Sequence, residues 1–185
     1  MSKIWFSSDH HFGHSSILTF VDGDSKHIRP GFKNVNDMNE FMIAQHNARV
    51  SPEDKWYSLG DVGFGSSDEL DTILSRLNGK KRLILGNHDD GKDPVLQKHF
   101  KKILLWRFFK EENFLATHVP VHESALYKVH YSVHGHIHEK PDVSPRHMNI
   151  SVEKTNYAPI SLDTIVSILK YRSSLKENND TIRNV

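Results

Sequence analysis

Histidine, aspartate and asparagine gather in five short clusters along this 185-residue chain. They are Asp9 with His11, Asp61, the run Asn87-His88-Asp89, His118, and His136 with His138. Imidazole nitrogens, carboxylates and an amide oxygen form a donor set that suits borderline divalent metals such as Mn, Fe, Zn or Ni. The chain has 14 histidines and no cysteine, so thiolate zinc sites, iron–sulfur clusters, disulfides and cysteine nucleophiles are excluded. The donors are too many for one tetrahedral site and suit two metals that share a carboxylate.

The elements that must position these residues can be read from apolar periodicity. Strands are expected over residues 3–8, 56–59, 82–85, 103–109, 114–117, 131–133 and 148–152, and helices over 35–50, 70–77, 95–100 and 162–169. Asn36 or Asp37 is the expected cap of the first helix, Ser66 with Glu69 forms a capping box for the second, and Ser161 caps the last. Strands alternating with helices argue for an α/β fold. Each cluster falls where an expected strand ends, the side of an α/β sheet on which loops converge and ligands bind. Asp9 and His11, like His136 and His138, lie two apart, which in extended backbone places both on one side. Gly60, Gly86 and Gly135 precede three clusters and let the backbone turn tightly beside an ion. One domain over 1–173 and a polar tail over 174–185 complete the expected organisation.

Taken in order, Asp9-x-His11, Gly60-Asp61, Gly86-Asn87-His88-Asp89, His118 and Gly135-His136-x-His138 resemble the five signature blocks of the calcineurin-like metallophosphoesterases. The longer phrases DHHFGH, YSLGDVGFG and LILGNHD look like a compact bacterial and phage branch of that family. The resemblance implies two packed mixed β-sheets flanked by helices, an αββα sandwich. It implies that Asp9, His11 and His138 hold one metal, that Asn87, His118 and His136 hold the second, and that Asp61 bridges them. His88 would stabilise the transition state or protonate the leaving oxygen, with Asp89 orienting its ring. Two divalent ions, manganese first and iron, zinc or nickel as alternatives, would supply a bridging hydroxide that attacks phosphorus in line. The expected activity is phosphodiester hydrolysis on nucleotides or short nucleic-acid ends. A phosphomonoesterase is the alternative, and a non-catalytic scaffold of the same fold is the reading from another class.

Asp9-His10-His11 also spells the signature of the unrelated DHH phosphoesterases. That family places the triplet well inside the chain, ahead of a glycine-rich block absent here, so His10 is read as structural. His14, Arg29 and His122 are the candidates for contacting substrate phosphate, since a guanidinium fork suits phosphate. His134 is read as packing, and His27, His46, His99, His130 and His147 as bystanders. Phe12, Trp56 and Trp106 are expected in the core. With 24 basic and 23 acidic residues the net charge is +1, far from the basic excess needed to wrap long nucleic acid. A small phosphoester, a nucleotide or a short strand end fits that balance. The N-terminus lacks the pattern of a signal peptide and no apolar run reaches membrane-spanning length, so a cytoplasmic protein without a membrane partner is expected. No long insertion interrupts the blocks, which predicts an open site.

Overall fold

The computed structural model describes residues 2–183, with side chains through residue 175. The chain opens with β1 (Ile4–Ser7), a 3-10 turn (Ser15–Thr19), α1 (Val35–Asn47), β2 (Lys55–Ser58), α2 (Ser67–Arg76) and β3 (Lys80–Ile84). There follow α3 (Pro94–His99), β4 (Ile103–Leu104), β5 (Trp106–Phe109), β6 (Phe114–Thr117) and a second 3-10 turn (Glu123–Ala125). β7 (Tyr131–His134), β8 (His147–Asn149), β9 (Ile160–Ser161) and α4 (Leu162–Arg183) complete the α/β fold.

Two mixed sheets form. The first has the order β4-β3-β2-β1-β9, parallel except for β9, which pairs antiparallel to β1. The second has the order β5-β6-β7-β8, with β5 antiparallel to β6 and the remainder parallel. Strand alternation sorts the first sheet's side chains between two cores. Trp56 and Leu83 face Met38, Met42, Leu70, Leu74 and Leu96 from the three helices α1–α3. Phe6, Tyr57 and Ile84 face the other way and meet Phe109, Phe114 and Val133 of the second sheet. Phe6 makes edge-on contacts with Phe109 and Phe114 at 5.2 and 5.9 Å, an arrangement that aligns ring edges with ring faces. α4 adds Ile165 and Leu169 to this inter-sheet core.

Local signals explain the helix starts. The Ser66 side chain accepts a hydrogen bond from the Glu69 N–H at 3.3 Å, as its capping spacing predicts. The Ser161 hydroxyl likewise accepts from the Thr164 N–H at 3.1 Å. α1 is capped by Asn34, which accepts from the Asp37 N–H at 2.9 Å, rather than by Asn36 or Asp37. Those two residues lie inside the first turn, where Asp37 complements the helix dipole.

Other expectations need correction. The apolar run 103–109 is two strands, not one: Leu105 separates β4 in the first sheet from β5 in the second, so the chain changes sheets there. Trp106, expected in the core, is 55% exposed on that edge. β9 escapes sequence reading because two residues carry no periodicity. The last helix runs on to Arg183, so the expected tail over 174–185 begins as helix, and residues 184 and 185 lie outside the described residues. On its outer side the second sheet packs Leu115 against Leu126 and Val129, from the segment that contains the second 3-10 turn. No helix among the described residues is long and apolar enough to cross a membrane.

Candidate metal centre

All five clusters follow strand ends and meet at one edge. Asp9 and His11 follow β1, Asp61 follows β2, Asn87–Asp89 follow β3, His118 follows β6, and His136 and His138 follow β7. The loops are tied together by their backbones. The Asp9 N–H donates to the Gly60 carbonyl at 3.0 Å, the His11 N–H to the Asp61 carbonyl at 3.1 Å, and the Gly135 N–H to the His118 carbonyl at 2.9 Å.

The backbone at the clusters is not extended, which corrects the expectation drawn from their period-two spacing. Asp9, His11, Asp61, His136 and His138 all have positive φ, between 50 and 71°. They are five of the nine non-glycine residues with positive φ among the described residues. Left-handed conformations cost a side-chain-bearing residue of order 1–3 kcal/mol each and persist where surrounding structure imposes them. Their concentration here marks a loop set shaped for its side chains. Gly60, at φ +100°, could not be another residue: a Cβ would stand 2.6 Å from His118 Nδ1 and 2.5 Å from the Gly86 nitrogen. At Gly135 a Cβ would meet Asp9 Oδ2 at 2.2 Å.

Two groups of donors result. Asp9, His11 and His138 bring one ligand atom each within 4.8 Å of one another, and so do Asp61, His118 and His136. Asp61 Oδ2 connects them, lying 3.4 Å from His118 Nε2 and 3.7 Å from His11 Nε2. Asn87 Oδ1 joins the second group at 2.9 Å from His118 Nε2 and 2.8 Å from His136 Nδ1. His11 Nε2 is buried and has no hydrogen-bond partner, an orphaned lone pair directed at this cluster. Such an atom, among carboxylates and imidazoles with one oxygen common to both groups, fits divalent cations.

The electrostatics agree with that fit. Burial, reinforced by the charges of Arg29 and His138, pushes His11 down to about 2, so its ring is neutral and its lone pair is available. Burial works to raise Asp61, but hydrogen bonding and charge from His118 and the His88 N–H outweigh it and hold Asp61 at about 2. Burial raises Asp9, a cost that a cation beside it would offset. His118 is raised: Asp61 and Asp9 overcome the effect of its burial.

A surrounding layer fixes the ligands. His118 Nδ1–H donates to the Leu59 carbonyl at 2.8 Å, which leaves Nε2 as the donor atom for a metal. His138 Nδ1–H donates to Glu153 Oε1 at 2.9 Å in the same manner. Glu153, which sequence reasoning missed, is held by Arg29: Nε and Nη2 each lie 2.7 Å from Oε1. Arg29 also donates to the His10 carbonyl at 2.8 Å and to the Asp9 carbonyl. At 1% exposure it is a buried brace behind Asp9 and not a contact for substrate phosphate, which corrects that expectation.

Asp89 does not orient the His88 ring. Both its oxygens accept backbone N–H groups, from Asp61 and Gly86 at 2.9 Å and from Val62 at 3.0 Å, so it fastens the Asp61 loop to its own. His88 is exposed, and its N–H donates to Asp61 Oδ1 at 3.0 Å. His14 reaches the site, its Nδ1 3.4 Å from His11 Nδ1. His122 stands elsewhere: its ring binds Ser124 and it lines a separate cleft with Val143 and His147. His10 is packed between Phe12 and Trp56, as a structural residue would be.

The fold and the site together define an α/β protein with two metal-capable His/Asp groups at one edge of paired mixed sheets. No family model matches the sequence. The chain is 31% identical to the uncharacterized protein MJ1445 of Methanocaldococcus jannaschii, over 97% of its own length and 98% of that protein's, and it belongs to the same family. It is also 36% identical to the gene 66 protein of Mycobacterium phage D29, over 48% of this chain and 41% of the phage protein. With the gene 66 protein of Mycobacterium phage L5 it shares 30% identity over 68% of its length and 58% of the relative's. A solved structure, that of the protein of unknown function AQ665 from Aquifex aeolicus, shares the fold at a TM-score of 0.70 and 24% identity. That match covers 91% of this chain and all of the other.

Proposed function

We propose that the protein is a dinuclear-metal phosphoesterase of the calcineurin-like kind, acting on phosphodiesters of nucleotides or short nucleic-acid ends. The observation that carries the reading is the position of Asp61 Oδ2 between the imidazoles of two separate donor groups. A carboxylate so placed can be shared by two cations. Asp9, His11 and His138 would hold one ion, and Asn87, His118 and His136 the other. Manganese is the first expectation, and the nitrogen-and-oxygen donor set equally admits iron, zinc or nickel. Bound there, such ions supply a water of lowered pKa and Lewis-acid neutralisation of phosphoryl charge.

The protein's own groups do the rest. Glu153 and the Leu59 carbonyl fix the tautomers of His138 and His118, so both rings present Nε2 without reorganising. His88 stands exposed at the rim with its backbone bonded to Asp61, a placement that suits a proton donor to the leaving oxygen. His14, beside His11, is placed to reach a phosphoryl oxygen. The two-sheet sandwich of the calcineurin-like enzymes is the finer fold this reading implies.

The test is hydrolysis of bis-p-nitrophenyl phosphate and of p-nitrophenyl phosphate, each with Mn²⁺ added. Turnover of the diester ahead of the monoester supports the proposal, and a large preference for the monoester would reassign it to the phosphomonoesterases. Protein that holds well under one metal per chain and hydrolyses neither compound would instead be a scaffold.

A further inference from the structure

Phe64 sits in the loop after Asp61 and is 39% exposed, although every ring it touches belongs to the site. Its centroid lies 4.9 Å from His11 at an interplanar angle of 8°, 4.3 Å from His14 at 25°, and 4.7 Å from His88. His11 and His14 are only 5.5 Å apart. Near-parallel rings on opposite faces of a phenyl group would stand farther from each other, so both histidines lie on one side. His88 meets the ring at a tilt of 56°, and more than a third of Phe64 stays exposed to solvent despite these three contacts.

The backbone that carries the ring is anchored. The Phe64 N–H donates to the Phe12 carbonyl at 2.7 Å, and Gly65 shares that acceptor at 3.2 Å. Phe12 and, on the same loop as Phe64, Val62 are core residues, and Phe64 is not among them. Leaving a large aromatic side chain partly in water forfeits a share of the ~1.5–3 kcal/mol that full burial contributes. A partly open aromatic ring stands beside the proposed proton donor, packed on rings of the site and not on the core. The rim continues through His14 to Phe20, whose centroid is 5.7 Å from that of His14. Phe20 lines a cleft of about 240 Å³ with Val21, Ile28, His136 and His138. This is smaller than the ~300–1,000 Å³ of a whole-ligand pocket, so it takes one part of a ligand rather than all of it.

We infer that Phe64 is a stacking platform for the nucleobase of a nucleotide whose phosphoryl group lies at the Asp61 centre. The inference rests on the proposed function and deepens it by assigning the residue that selects the substrate class. Stacking suits this ring because every base has a π-face. Phe64 would act by binding the base and would take no part in proton transfer.

The experiment compares binding of the non-hydrolysable phosphonate analogues of adenosine 5′-monophosphate and ribose 5-phosphate to the Mn²⁺-supplemented protein, by calorimetry. The two probes share the sugar and the phosphonate, and a hydroxyl at C1 of one replaces the base of the other. Wild-type protein should prefer the adenosine compound by about tenfold or more, the range for stacking on one aromatic side chain. Phe64→Leu should bring that ratio close to one, and Phe64→Trp should restore it. The Trp variant separates loss of the platform from misfolding. A preference that survives in Phe64→Leu, an equal affinity of wild-type protein for both probes, or binding of neither would overturn the inference. Hydrolysis of bis-p-nitrophenyl phosphate by the same preparation keeps the two readings apart. Turnover without base preference removes the platform alone, and base preference without turnover removes the esterase alone.

Discussion

At the scale of single residues, the site separates metal-capable donors from the groups that aim them. On the proposed function, His88→Ala should retain metal and lose about 10²–10⁴-fold in turnover, since it would remove the proposed proton donor and none of the proposed ligands. Asp61→Ala should lose metal and activity together, because both donor groups depend on its carboxylate. Metal content by plasma mass spectrometry beside steady-state kinetics distinguishes the two, and a fully active His88 variant would remove that residue from the chemistry. Glu153→Gln should weaken Mn²⁺ affinity by about 10–100-fold by loosening His138, with some loss of stability as Arg29 loses its carboxylate partner. Titration calorimetry with a melting curve reads both effects. The metal-capable residues were legible in sequence because each sits in a short block at a strand end. Glu153 and Phe64 were not, and Arg29 was legible as a site residue but not as a brace. Arg29 and Glu153 lie 124 positions apart and share no local pattern, and an aromatic residue between two glycines looks like any loop. Asp89 shows the opposite difficulty: it was found by its neighbourhood, but adjacency to His88 says nothing about which N–H groups its carboxylate accepts.

At the scale of elements, helices were easier to read than strand boundaries. α2 and α3 carry their start signals within a few residues, Ser66 in one case and Asp93 followed by Pro94 in the other. The run 103–109 carries no such mark, since a change of sheet at Leu105 is decided by long-range pairing. α1 holds a titratable group that sequence reading treated as a bystander. His46 packs edge-on against Trp56 at 4.6 Å and donates Nε2–H to the Asn78 carbonyl at 2.9 Å. Burial lowers it from 6.5 to about 4, with the Asn78 bond partly opposing. The unfolded chain takes up this proton near pH 6.5 while the folded protein refuses it until about pH 4. Its contribution is therefore complete above pH 6.5 and lost on acidification through that window, by up to about 3 kcal/mol. Urea denaturation across pH 4–7 should show the decline, and His46→Gln, which keeps a donor for Asn78, should flatten part of it. An unchanged slope in the variant would show that His46 takes up its proton in the fold as readily as in the unfolded chain.

At the scale of the whole molecule, the donor groups do not map onto the sheets. Asp9 and His11 come from the first sheet and their partner His138 from the second; Asp61 comes from the first, and His118 and His136 from the second. Each ion would therefore join both sheets, and binding to the folded state alone should raise stability. At a hundredfold excess over the dissociation constant the gain is about 2.7 kcal/mol per ion. The melting midpoint should rise with Mn²⁺ and fall back with chelator, and a midpoint indifferent to both would separate the site from the stability of the sheets. The change of sheet at Leu105 gives this arrangement an order in time. During synthesis the residues before that point emerge first, with Asp9, His11 and Asp61 but without His118, His136 or His138. A nascent half-chain thus offers neither complete donor group. If the proposed cations bind, their capture must await the second sheet, and metal uptake would then signal that biosynthesis and folding of both halves have finished.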